Sequence, residues 1–201
     1  MDSFKITIAG VGGQGTLLAS RLIAQSAIAS DLPVIIGETY GMAQRGGPVM
    51  GHIQIGGEVY SPQIRPGEAD VLLGFEIGEA TRRGVTYLKK DGLAIINTKK
   101  LAPVEVISGM MKYPKEETLI QILSKITENI IAFDATKLAE NAGDAITTNV
   151  VILGALTASG LLPFGEETII NTIKQSLRPE YHELNIKALQ LGSSVFHKMK
   201  N

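Results

Sequence analysis

Apolar positions in this chain fall into short β-branched runs alternating with stretches of helical spacing. Lys5-Ile6-Thr7-Ile8-Ala9 reads as a buried strand, and the run from Thr16 to Ala29 as the helix that follows it. Asp31-Leu32-Pro33 breaks the chain before Val34-Ile35-Ile36, which reads as a second parallel strand completing a βαβ unit. Farther on, Val49, Gly51, Ile53 and Ile55 alternate with Met50, His52 and Gln54, predicting a strand with one apolar and one more polar face. Gly56-Gly57 predicts a hairpin turn into a strand at Glu58-Val59-Tyr60, so an antiparallel appendage is expected.

Beyond Pro62 and Pro66, Ala69 to Gly74 reads as a buried parallel strand and Glu76 to Leu88 as its crossover helix. Asp91-Gly92 predicts a turn, Leu93 to Asn97 a strand, and Val104 to Ile107 another short one. Leu119, Ile122, Leu123 and Ile126 share a face of a helix between Lys115 and Ile126, and Ile130 to Asp134 ends the sheet. The remainder is helical: Asn149 to Ser159, stopped by Gly160; Glu166 to Leu177; and Glu180 to His197 after Arg178-Pro179. The expectation is a single α/β domain over residues 1–201, with a mostly parallel Rossmann-like sheet, an antiparallel hairpin appendage and a C-terminal helical segment.

Two glycine-rich segments stand outside this periodicity. Gly10-Val11-Gly12-Gly13-Gln14-Gly15 joins the first strand to the first helix, the order a phosphate cradle requires, and Gly10, Gly12 and Gly15 satisfy G-x-G-x-x-G. A packing turn without a ligand uses the same spacing. Glu38 follows the second strand, where an acid binds ribose hydroxyls in an NAD site. The other segment, Tyr40-Gly41-Met42-Ala43-Gln44-Arg45-Gly46-Gly47, places an amide and a planar guanidinium among glycines. Arg45 offers a fork of donors suited to a carboxylate or phosphate. A solvated turn is the plainer reading. Both segments are expected at the carboxyl ends of strands, where open α/β sheets bind their ligands.

Composition narrows the chemistry. The sequence has 201 residues and no cysteine, which removes disulfides, zinc thiolates and cysteine-ligated iron–sulfur clusters together. A net charge of -1 supplies no polybasic field, so neither nucleic acid nor an anionic membrane is an expected partner. No apolar run approaches the roughly 20 residues of a membrane span, and no signal peptide precedes the first strand, so a cytoplasmic location is expected. His52, His182 and His197 lack metal-ligand spacing. Arg82-Arg83 reads as a solvated face, Asn149 as a helix cap or a contact to the glycine turn, and Glu116-Glu117 and Glu166-Glu167 as first-turn carboxylates. No nucleophile elbow, P-loop or Gly-Asp-Gly thiamine signature is present, so no catalytic residue and no metal ligand is assigned.

The two glycine segments, with Asp134-Ala135-Thr136 and Asn149-Val150-Val151-Ile152-Leu153-Gly154-Ala155, resemble the gamma subunit of the 2-oxoacid:ferredoxin oxidoreductases over most of the chain. The wording from Tyr40 to Gly47 looks closest to the indolepyruvate-type small subunit, and departs from the pyruvate and 2-oxoglutarate versions at Met42-Ala43. The resemblance implies a complex that decarboxylates a 2-oxoacid on thiamine diphosphate and Mg, passes electrons through iron–sulfur clusters to ferredoxin, and transfers the acyl group to coenzyme A. Those cofactors are expected on partner subunits and none on this chain alone. Gly10, Gly12, Gly13, Gln14, Gly15, Gln44, Arg45, Gly46 and Gly47 are the residues expected to face the shared site or the coenzyme A approach. An isolated chain is expected to be inactive, and its self-association into a homodimer stays open. A stand-alone NAD- or nucleotide-binding protein is the alternative.

Overall fold

A computed structural model of the chain describes residues 3–40, 46–101 and 112–200. The first half comprises β1 (Phe4–Val11), α1 (Thr16–Ala29), β2 (Val34–Tyr40), β3 (Pro48–Ile55), β4 (Ala69–Gly74), α2 (Ile77–Tyr87) and β5 (Leu88–Asn97). The second comprises α3 (Glu116–Leu123), β6 (Ile130–Phe133), α4 (Ala135–Ala142), α5 (Thr148–Ala158), α6 (Glu166–Ser176) and α7 (His182–Lys200). The expected strand at Val104 to Ile107 lies outside the described residues.

The strands form one sheet in the order β2-β3-β1-β4-β5-β6. β1, β4, β5 and β6 run parallel, while β3 is antiparallel to both β1 and β2. β2 runs parallel to β1 across the α1 crossover, as the expected βαβ unit requires, but β3 lies between them, so the two strands do not pair. This order corrects the expected hairpin. β1 and β2 use both edges of β3, leaving no edge for Glu58-Val59-Tyr60, which forms no strand. That segment returns over the sheet instead: Gln54 Nε2 donates to the Ser61 carbonyl at 2.8 Å, and a Cβ on Gly37 would lie 2.7 Å from Pro62 Cβ. Asp91-Gly92 is absorbed into β5, with Asp91 at φ 61°.

Strand alternation sorts side chains onto two helical layers. Ile6, Ile8, Ile53, Ile55, Val71, Leu73, Ile95 and Ile131 join a core with α1, α4, α5, α6 and α7. Ala9, Leu72, Ala94 and Ile96 on the opposite face pack against α2 and α3. Met50, Ile64, Ala69 and Tyr87 extend that second face. β3 is therefore covered on both faces, and its alternation does not mark a wet side. α5 is buried from Thr148 to Leu156, and it crosses α7 so closely that a Cβ on Gly154 would lie 2.0 Å from the Leu189 carbonyl oxygen. Among the described residues no helix is long and apolar enough to cross a membrane.

Candidate functional site

The chain leaves β1 for α1 on one face and β4 for α2 on the other, so the gap between the carboxyl ends of β1 and β4 is the switch point of the sheet. An open α/β sheet places its ligand crevice there. Here the protein fills it. Gln14 turns back into the loop: its Oε1 accepts from Val11 N at 2.8 Å, and its Nε2 donates to the Phe75 carbonyl at 3.0 Å. Gly10 permits that arrangement, since a Cβ there would lie 2.8 Å from Phe75 Cβ and 2.9 Å from Gln14 Oε1.

The two glycine segments meet directly. Gly12 N donates to the Gly47 carbonyl at 2.8 Å, and Gly46 N to the Gly12 carbonyl at 3.3 Å. Gly13 and Gly46, at φ 102° and 77°, have open space where a Cβ would stand. Gly15, at φ 75°, is covered by Asn149, whose Nδ2 donates to its carbonyl at 3.3 Å. Asn149 is thus a contact to the glycine turn; Thr147 occupies the cap position of α5. Gln44 and Arg45 lie outside the described residues. Gly10, Gly12, Gly13, Gln14, Gly15, Gly46 and Gly47 converge on one end of the sheet.

This geometry differs from a dinucleotide cradle in two ways. The amides of Val11 and Gly12 are already bonded within the protein. Glu38 on β2 is separated from β1 by β3, so it stands two strand spacings, about 10 Å, across the sheet from the turn. The fingerprint requires its acid on the strand next to β1.

Two further polar groups frame the same end, and neither falls in a glycine segment. Asn97 closes β5 with a fully buried side chain, and Glu76 caps α2 with only 2% of its surface exposed. The Glu76 carboxylate accepts from Glu79 N at 2.9 Å and from the Tyr113 hydroxyl, which in turn accepts from Gly78 N at 3.1 Å. Burial, reinforced by that carboxylate, pushes the Tyr113 hydroxyl well above its usual pKa. A carboxylate and a phenol therefore occupy the positive end of α2. A polar residue ending an apolar strand was the available signal for Asn97; Glu76 and Tyr113 carried none specific enough.

Away from this end, His52 is buried against Tyr87 with ring centroids 4.9 Å apart, and neither ring nitrogen has a hydrogen-bond partner. Burial first, and the nearby Arg83 charge second, hold the His52 pKa below the ordinary value, and the Arg83 Nε is itself buried and unpartnered. Arg83 is thus half-buried, whereas Arg82 is exposed and pairs with Glu79. Among the described residues no group of His, Cys, Asp and Glu has the arrangement of a metal site.

Residues 5–195 match the pyruvate ferredoxin/flavodoxin oxidoreductase family. The chain is 40% identical to indolepyruvate oxidoreductase subunit IorB of Pyrococcus horikoshii over 202 residues, covering 100% of each. It is 30% identical to the pyruvate/ketoisovalerate oxidoreductases common subunit gamma of Pyrococcus abyssi, covering 92% of each. The crystal structure of pyruvate oxidoreductase subunit PORC from Thermotoga maritima superposes with a TM-score of 0.71 at 26% identity, covering 96% of this chain and 97% of that one. The chain belongs to the pyruvate ferredoxin/flavodoxin oxidoreductase family, as a gamma-type small subunit of an oxidoreductase.

Proposed function

We propose that this chain is the non-cluster-carrying subunit of a thiamine-diphosphate-dependent 2-oxoacid:ferredoxin oxidoreductase acting on an aryl 2-oxoacid of the indolepyruvate type. The reaction converts a 2-oxoacid anion, coenzyme A and two oxidised ferredoxins into an acyl-CoA, carbon dioxide, two reduced ferredoxins and one proton. The bond between the carbonyl and carboxylate carbons breaks, its electron pair passes one electron at a time to the ferredoxins, and a thioester bond forms. Likeness to the indolepyruvate-type subunit along the whole chain, greater than to the pyruvate/ketoisovalerate type, carries the substrate assignment.

The described residues do not fit a diphosphate held by this chain alone, because Val11 N and Gly12 N are spent on Gln14 and Gly47. No chemical step is assigned to the chain. Its part is to present a preformed surface: bare backbone at Gly13 and Gly46, with Gln14 bracing the first segment and the Gln44-Arg45 pair directly preceding Gly46 in the second. Open backbone with positive φ suits close approach by another protein surface or by coenzyme A. Thiamine diphosphate, Mg and the iron–sulfur clusters reside on partner subunits, and ferredoxin is reached through the complex.

The test is reconstitution with the thiamine-binding and cluster-carrying subunits. The chain alone is expected to give no visible cluster absorption and no oxoacid-dependent dye reduction, and the combined subunits to turn over. Oxoacid oxidation by the verified single chain would overturn the reading.

A further inference from the structure

We infer that Asn97 is a positioning residue for the glycine turn, acting through the carbonyl of Phe75. The inference rests on the proposal that this turn faces the partner subunits. Asn97 sets the turn's place relative to the far half of the sheet.

Asn97 lies at the carboxyl end of β5, fully buried, and uses all four hydrogen bonds its amide can make. Its Nδ2 donates to the Phe75 carbonyl at 3.2 Å and to Thr136 Oγ1 at 3.1 Å. Its Oδ1 accepts from Ala135 N at 3.0 Å and Lys99 N at 3.2 Å. One side chain therefore fixes the start of α4 and the exit from β5 against the end of β4. The Phe75 carbonyl is the shared point, because Gln14 Nε2 donates to it as well. A carbonyl oxygen has two lone pairs, and here both are taken, one by each amide. The Phe75 amide meanwhile donates to the Ala9 carbonyl at 2.7 Å, at the foot of the turn.

The consequence is directional. Shifting Phe75 O moves Gln14, and Gln14 holds Val11 N, the amide beside the Gly12–Gly47 contact. Asn149 holds the other end of the turn at Gly15. The segments Asp134-Ala135-Thr136 and Asn149 to Ala155, distant in sequence from the turn, thus reach it from two sides. A buried polar network of this kind specifies one arrangement only while every member is satisfied.

An aspartate at position 97 keeps both acceptor bonds but cannot donate to Phe75 O, and sets its charge against that oxygen's lone pairs. The measurement is amide hydrogen exchange by NMR on the full isolated chain, comparing wild type, Asn97→Asp and Thr136→Val. The Thr136→Val chain loses a single acceptor of Asn97 and serves if Asn97→Asp fails to fold. In Asn97→Asp, exchange at Val11 and Gly12 is expected to rise tenfold or more relative to Ile8 in the same strand. Thr136→Val is expected to shift the same amides by a smaller factor. If the turn amides exchange as in wild type, or accelerate only in step with Ile8, Asn97 is a structural pin and the inference is wrong. The readout uses no partner subunit, so failure of the chain to support turnover in any complex would overturn the proposed function and leave this result standing.

Discussion

Gln14 Nε2 and Asn97 Nδ2 donate to a single acceptor, the Phe75 carbonyl oxygen, at 3.0 and 3.2 Å. This shared oxygen joins the first glycine segment to the far strands. It also explains why the switch-point crevice is closed by a glutamine side chain, although the loop carries dinucleotide spacing.

NAD and NADP are expected to bind weakly or not at all. Val11 N and Gly12 N are already bonded, and Glu38 is on the wrong side of β3 for a ribose. Calorimetry is the check, and micromolar affinity at one-to-one stoichiometry would favour the nucleotide-binding alternative.

Gly154→Ala is expected to be among the most damaging single-methyl additions. The new Cβ would lie 2.0 Å from the Leu189 carbonyl oxygen, a backbone atom that moves only with α7. A loss of about 3 kcal/mol, at the upper end of overpacking penalties, should appear in denaturant melts. A near-neutral result would mean that α5 and α7 separate easily.

Tyr113→Phe removes the hydroxyl that satisfies the buried Glu76 carboxylate and Gly78 N. The expected cost is about 1 to 3 kcal/mol, because Glu76 Oε1 and Gly78 N lose that partner while Glu76 keeps its bond from Glu79 N. Glu76→Gln should be milder, since its amide oxygen still accepts. Chemical denaturation of both variants decides the order.

Stability is expected to fall on mild acidification through His52. Burial first, and the Arg83 charge second, lower its pKa below the ordinary 6.5. Thr7, Arg83 and Tyr87 adjoin it, and none supplies a carboxylate. The unfolded chain binds a proton at pH values where the folded chain does not. The neutral-histidine contribution is therefore complete above about 6.5 and is lost as pH falls from there toward the lowered folded value. His52→Phe, which keeps the edge contact to Tyr87, should flatten the difference in melting temperature between pH 7.5 and 5.5. An unchanged difference would remove His52 as its source.

Much of this was legible in the chain. The buried runs at Ala69 to Gly74 and Ile130 to Phe133 and the glycine turn before α1 carry strong local signals, and each of the six described strands overlaps a run that periodicity marks, whereas Glu58-Val59-Tyr60 forms none. Pairing was less legible, because alternation from Val49 to Ile55 says that a strand exists but not which edges it uses. A strand inserted between β1 and β2 has the same local pattern as one arm of a hairpin. Polar pins such as Asn97 were missed for a related reason. A single asparagine ending a strand acquires its meaning only from Phe75, Thr136 and Ala135, which the fold brings to it.

As proposed, this chain completes an aryl 2-oxoacid:ferredoxin oxidoreductase, and without it the partner subunits should be inactive. The most direct measurement is kcat/KM for indolepyruvate and for pyruvate, with ferredoxin as acceptor, on the partner subunits with and without this chain. Turnover is expected only when the chain is present, with indolepyruvate preferred at least tenfold. Equal turnover without the chain, or a preference for pyruvate, would contradict it.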